Sequence, residues 1–253
     1  IMKMTFSHEL YKMVHQRSSW VAMVALCCLM AYSATPTAYI TKNLVAQGFG
    51  VGQWSIIIMI ALTANFFTME LRNNTMTTLL YKSPSRSTVF LAKFFVLIIY
   101  GFWLVLIGFL FALIIKIGLV GNQFSWQIVY HQHPLINDLL LNLLGVAVYL
   151  IFTTALTLLL IALFKSSAVV IVIGLFIGFL GANFSGIAMQ AFLHFQKIIT
   201  WNPLNMINVI NQLSDAGMNK ITALTDAELV IGNLMYAAIF LFIGLIVFRK
   251  SDL

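Results

Sequence analysis

Charge is what this chain has least of. Asp, Glu, Lys and Arg make up 8% of its 253 residues, where a soluble domain carries about 25%. With 61% hydrophobic residues, that scarcity excludes an ordinary soluble globular protein. Cysteine is almost missing too. Cys27 and Cys28 are the only two, adjacent and inside an apolar run. Neighbouring cysteines rarely bridge, so no disulfide framework is available and both read as small buried hydrophobes.

Catalytic and nucleotide-binding patterns are also missing. No G-x-x-x-x-G-K-[ST] occurs, so ATP hydrolysis, if involved, must come from another chain. Gly48-Phe49-Gly50-Val51-Gly52 has the glycines of a phosphate loop but no Lys-Ser/Thr after them, and reads as a turn. The five histidines (His8, His15, His131, His133 and His194) are scattered, with no nucleophile–base pair. No catalytic residue is therefore expected. His131-Gln132-His133, beside Pro134 and without a neighbouring Cys or acid in sequence, is a poor metal site. No metal site is expected, and this stretch reads as a wet loop.

Charge inside the apolar runs is scarce. Lys116 and Asp138 sit at run ends, where they are expected to snorkel. Asn65 and Asn142 read as the only amides well inside, with Thr63, Thr153, Thr154 and Thr157 as hydroxyls. A proton or metal-ion pump needs buried ionisable groups along its path. Their scarcity points to an amphipathic or hydrophobic cargo and to energy supplied from outside the membrane. The 21 Phe residues suit a greasy translocation surface and lipid contact equally well.

What the chain does have is six apolar runs, at about 20–40, 51–69, 88–115, 138–164, 167–190 and 229–248. Each is long enough for a hydrocarbon core of about 30 Å. Helices are the expected element, because a helix satisfies its own backbone hydrogen bonds in lipid. The predicted fold class is an all-α integral membrane protein with six transmembrane helices in one domain, 1–253. The first run follows about twenty more polar residues, so no cleavable leader is expected.

Basic residues orient the runs. Lys3, Lys12, Arg17, Arg72, Lys82, Arg86, Lys93, Lys165, Arg249 and Lys250 fall on one side; Lys42, Lys116, Lys197 and Lys220 fall on the other. The positive-inside rule puts the first set, with both termini, in the cytoplasm of a plasma-membrane protein. The long outer segment between the fifth and sixth runs is semi-polar. It includes Trp201 and "NPLNMINVINQL", and is expected to lie at or dip into the outer interface, with Trp54, Trp126 and Trp201 in an aromatic belt.

Residues 4–17 place Phe6, Leu10, Met13, Val14 and Arg17 on one helical face, and Ser7, His8, Lys12, His15 and Gln16 on the other. This predicts an interfacial amphipathic helix on the inner leaflet, with Lys3, Lys12 and Arg17 reaching anionic headgroups; the plainer alternative is a solvated tail. Gly174, Gly178 and Gly181 share a face of the fifth run. Such a face allows close helix packing, either within one subunit or between two subunits.

Met69 to Phe95 is the most polar long stretch. Met69, Met76, Leu79 and Leu80 fall on one face, and Asn73, Asn74, Thr77 and Tyr81 on the other. This predicts a short amphipathic helix at the cytoplasmic boundary. Ser83-Pro84 then reads as an N-cap and first helical residue, starting a new helix that runs into the third span. The alternative is an ordinary basic loop. Glu70-x-Arg72-x2-Thr75, followed by Leu79-Leu80, Ser83-Pro84-Ser85-Arg86 and Ala92-Lys93, resembles the loop of ABC-2 type permeases. It looks most like the permeases grouped with bacitracin resistance, lantibiotic immunity and peptide export, although Asn74 stands where that family often has Gly.

The resemblance implies a coupling helix formed by Glu70, Arg72, Thr75, Leu79, Leu80, Pro84 and Arg86, docked in a separate cytosolic ATP-binding subunit. It implies two ATPases and two permeases, identical or paralogous. ATP and Mg would be held by the ATPases, with no cofactor on this chain. No nucleic-acid partner is expected. The rival is a self-contained six-span secondary carrier, or an immunity protein that sequesters a toxin.

Overall fold

The computed structural model describes residues 2–35, 39–72, 85–121, 123–192 and 195–250. Its helices are α1 (Met2–His15), α2 (Arg17–Ala34), α3 (Lys42–Ala46), α4 (Val51–Arg72), α5 (Arg86–Ile115) and α6 (Leu135–Phe164). They continue as α7 (Ser167–Ala191), α8 (Gln196–Ile199), α9 (Val209–Gln212), α10 (Asn219–Thr222) and α11 (Asp226–Lys250). The helices α2, α4, α5, α6, α7 and α11 are each long and apolar enough to cross a membrane. Among the described residues, sheet is limited to a two-residue antiparallel ladder, Val129–Tyr130 against His133–Pro134.

The two most buried membrane helices are α4 and α6, and the least buried is α7. The centre of the bundle is α6, which packs along α11, α4 and α5. Leu139, Val146, Leu150 and Leu158, all buried, line its inward faces. The chain enters α4 through three successive left-handed residues, Gly48, Phe49 and Gly50, at φ 59°, 55° and 84°. The two glycines adopt this conformation freely. Phe49 bears the strain, and its side chain is fully buried. The glycine-rich stretch is thus a tight entry turn.

Several expectations change at helix ends. Gln16 is extended, at φ −73° and ψ 132°, so α1 stops at His15. Arg17 opens the first span and does not close the interfacial helix. The most buried positions of α1 are Glu9 and Met13, with Phe6 and Leu10 half-buried. Val14, expected on the apolar face, is exposed. The third span starts at Arg86 and not at Pro84. Ser85 is extended (φ −161°, ψ 151°), and its hydroxyl accepts the Thr88 N–H at 3.2 Å as the N-cap. Ser83 and Pro84 lie outside the described residues.

Candidate functional site

The basic end of the bundle is where the proposed coupling segment is mounted. Glu70 and Arg72 belong to the last turn of α4, continuous with the second span. Thr75, Leu79, Leu80 and Pro84 lie outside the described residues. Arg86 opens α5, and its Nη1 donates to the Arg249 carbonyl at 3.3 Å, joining the start of the third span to the end of the sixth.

Beneath this mount lies a buried ion cluster. Lys93, two turns into α5, is fully buried, and its Nζ donates to Glu9 Oε2 at 2.9 Å. Lys12 Nζ lies 2.7 Å from the other Glu9 oxygen, Oε1. The Lys93 ammonium also sits 4.5 Å from the centre of the Phe66 ring on α4. One charge therefore ties α1, α4 and α5 together. In a dry site the pair holds only because partner and ring are both in place. By sequence Lys93 counts only among the cytoplasmic basic residues, and Glu9 has no assigned role. The two are 84 residues apart, and only the fold makes them a pair.

Two more buried charges sit at the opposite end. Lys116 is almost wholly covered; its Nζ donates to the Gly121 carbonyl and lies 5.6 Å from the centre of the Trp126 ring. Asp138 is fully buried, with His131 Nδ1 at 3.8 Å, and His131 Nε2 is 3.6 Å from Asp215. Neither Lys116 nor Asp138 snorkels. His131 is half-buried between two carboxylates, although no acid neighbours it in sequence. Among the described residues, no group of three His, Cys, Asp or Glu side chains is arranged to hold a metal ion.

The outer segment forms the other half of the site. Asn202, Asn205, Asn208 and Asn211 recur every third residue. Residues three apart eclipse one another in a 3-10 turn, and Asn205–Asn208 is such a turn. The amides interlock. The Asn205 N–H donates to Asn202 Oδ1 at 3.0 Å, and Asn208 Nδ2 donates to Asn205 Oδ1 at 2.9 Å. Asn205 Nδ2 in turn reaches the Thr200 and Thr222 carbonyls, at 2.7 and 3.1 Å.

The ladder is pressed into the bundle. Asn142 Nδ2 on α6 donates to the Ile210 carbonyl at 2.9 Å. At Gly145 the approach is so close that a Cβ would lie 2.5 Å from the Val209 carbonyl oxygen. Asn233 on α11, fully buried, donates to the Met206 carbonyl at 3.0 Å. The segment is a wedge seated between spans, held by carboxamides. Asn65 and Asn142 are therefore not the only amides within the runs: Asn183 and Asn233 join them. The period-three asparagines were the sequence signal for this wedge.

Between the wedge, α4 and α7 lies a chamber of about 290 Å³. Gln47, Gln53, Asn142, Asn183, Asn208 and Asn211 line it, above a floor that includes Ile56, Ile60 and Phe179. No charged side chain is among the described residues that line it. The glycine face of α7 divides here. A Cβ on Gly174 would lie 2.6 Å from Ile60 Cγ2, and one on Gly181 would meet Leu204 at 3.5 Å. Gly174 and Gly181 thus receive residues of their own chain. Gly178 lines the chamber, and a Cβ there would meet nothing within 4 Å.

Residues 5–181 match the family model described as ABC-2 family transporter protein. The chain belongs to that family. As an ABC-2 protein it is a membrane-spanning permease subunit, of a kind that works with a separate ATP-binding-cassette subunit. The match takes in the α4 and α5 sides of the mount, though not Arg249, together with the Glu9–Lys93 cluster and α7 as far as Gly181. It ends before the asparagine wedge, so family membership assigns the wedge no role. No curated protein matches this ABC-2 chain.

Proposed function

We propose that the chain is the permease of an ATP-driven exporter that moves an amphipathic peptide, antimicrobial or lipid-like compound out of the cell. Two copies, or one copy and a paralogue, would pair with two cytosolic ATPases, which hold the ATP and Mg. Residues 70–86 would be the coupling segment, with Leu79 and Leu80 in an ATPase groove and Arg72 and Arg86 on acidic ATPase surface or lipid phosphate. The basic end, with both termini, would face the cytoplasm. The observation that carries this reading is the mount. The coupling segment hangs from two helices joined beneath it by the Glu9–Lys93–Phe66 cluster and beside it by the Arg86–Arg249 contact. A force on the segment would reach α1, α4, α5 and α11 together. Open space at Gly178 is compatible with a partner permease lying across α7.

The test is purification in nanodiscs with the ATP-binding subunit encoded beside it. We expect stoichiometric association, drug- or peptide-stimulated ATPase activity, and release of the ATPase by the double variant Leu79→Asp/Leu80→Asp. In a Cys27→Ala/Cys28→Ala background, Ser85→Cys should react with a membrane-impermeant thiol reagent only from the cytosolic side. Labelling from outside would overturn the topology. Transport or protection with no ATPase present would favour the self-contained carrier or toxin-sequestering protein.

A further inference from the structure

We infer that the amide-lined chamber is a binding site for the uncharged main chain of an extended peptide segment. The inference deepens the export reading, which it uses only for the direction of movement. Its first support is hydrogen-bond accounting. Gln53 and Asn183 both line the chamber with exposed side chains, and among the described residues neither side chain is hydrogen-bonded within the chain. Asn183 lies roughly two turns inside the outer end of α7. An amide at that depth without a partner is costly in hydrocarbon. Intramembrane polar groups of this kind face a water-filled cavity or a ligand path.

The second support is chemical matching. A carboxamide offers one carbonyl acceptor and an NH2 donor, side by side. A peptide unit offers the same pair reversed. Free amides on α4 and α7, facing one chamber, can therefore hold main chain from two sides. This is recognition by backbone hydrogen bonds, as when a strand is added to a sheet edge. The absence of charge among the lining residues disfavours a phosphate headgroup or an acidic cargo, which would draw Lys or Arg. The floor of Ile56, Ile60 and Phe179 suits alternate apolar side chains of an extended segment. A glycan would draw more aromatic platforms and charge-assisted hydroxyl contacts than one Phe provides. At about 290 Å³ the chamber is at the small end for ligand sites, so it would grip a short stretch of cargo and not the whole molecule.

The remaining amides are engaged and hold the shape. Asn142 and Gln47 both donate to Asn211 Oδ1, each at 3.4 Å, and Asn208 donates to Asn205. Wall and ligand roles are thus divided between bonded and unbonded carboxamides, and the two unbonded ones are the residues to change.

The test uses the full chain in nanodiscs, with and without its ATPase. The probe is an N-acetylated, C-amidated hexapeptide of Ala and Leu carrying a fluorophore, read by anisotropy. We expect saturable binding. Gln53→Leu/Asn183→Leu should weaken it about 10- to 100-fold, two hydrogen bonds' worth. A peptide of the same sequence with N-methylated backbone should bind the wild type equally poorly. Gly178→Trp, which fills the open side where a Cβ meets no neighbour, should abolish peptide binding. In the background without Cys27 and Cys28, Asn183→Cys should react with an aqueous thiol reagent and be protected by the peptide.

Equal affinity of the N-methylated and parent peptides would overturn the inference. So would unchanged binding in the double variant, displacement by maltohexaose but not by peptide, or a disulfide between two Asn183→Cys copies that is inert to aqueous reagent. Each leaves ATPase association untouched. Conversely, loss of ATPase association with peptide binding retained would overturn the exporter reading and leave the chamber standing.

Discussion

Changing Glu9 to Gln keeps the shape of the side chain and removes its charge. Lys93 would then remain fully buried, with a neutral amide where its counter-ion was and the Phe66 ring 4.5 Å away. Breaking a buried pair by removing one partner costs about 3–5 kcal/mol, because the remaining charge has left water without compensation. The ring returns about 1–2 kcal/mol at most. Lys93→Met should cost less, about 1–3 kcal/mol, since Glu9 keeps Lys12 at 2.7 Å and that lysine is partly solvated. The double variant Glu9→Gln/Lys93→Met leaves no buried charge and packs a side chain of similar length. It should fall within about 1 kcal/mol of wild type, well below the sum of the singles. The assay is reversible unfolding in mixed micelles, run as a double-mutant cycle. If both single variants lie within about 0.5 kcal/mol of wild type, or if the double variant equals their sum, the pair is solvated or uncoupled. The mount would then lose its physical basis.

Three further outcomes test the rest of the architecture. Gly145→Ala should destabilise the fold by about 1–3 kcal/mol, because the new methyl meets the Val209–Ile210 backbone, which cannot swing aside. Gly118→Ala, with nothing within 4 Å, is the control and should shift stability by less than about 0.5 kcal/mol in the same unfolding assay. Asn142→Leu should cost about 1–3 kcal/mol by orphaning the Ile210 carbonyl, and hydrogen exchange at residues 205–212 should speed up while that of α5 does not. Ser85→Ala should lose about 1 kcal/mol of helix capping and Ser85→Asn should restore it, read as thermal midpoints of the detergent-solubilised chain.

The six membrane helices were legible because lipid imposes the strongest rule in the chain. Every spanning backbone group must be paired internally, so about twenty apolar residues become a helix with little competition. Helix ends were less legible, since capping depends on a single residue's dihedrals. Ser83-Pro84 has the better N-terminal signature on paper, yet Ser85 is the extended residue whose hydroxyl meets Thr88. The buried charges were illegible for a different reason. Glu9 and Lys93 become neighbours only when α1 lies along α5, and Asp138 meets His131 and Asp215 only when loop and wedge close over it. Periodicity assigned Val14 to the covered face of α1. In the structure the covered face of α1 centres on Glu9 and Met13, with Glu9 paired to Lys93, and Val14 is exposed. The asparagine ladder was visible as spacing, but a period of three matches neither the α-helix nor the strand. It acquires meaning only once a 3-10 turn makes those residues eclipse.

The two halves of the site share one element. Phe66, near the basic end of α4, lies under the Lys93 ammonium; Gln53, Ile56 and Ile60, toward its other end, face the chamber. Phe66 and Gln53 are separated by roughly 20 Å of helix at 1.5 Å per residue. Between them, Ile60 fits into the notch left by Gly174, so α7 grips α4 close to its middle. Phe66 adds a ring contact to the buried Glu9–Lys93 pair at the basic end, and at the outer end a Cβ on Gly52 would lie 2.7 Å from Val146 of α6, so α4 is held along its length. Bending it would break intrahelical hydrogen bonds in lipid, where water cannot replace them. Translation would drive Ile60 out of its notch. The opposite wall of the chamber is fixed in a different way: Asn142 on α6 and Asn233 on α11 bind the backbone carbonyls of Ile210 and Met206, so the wedge is tied to two spans through its main chain and not through apolar packing alone.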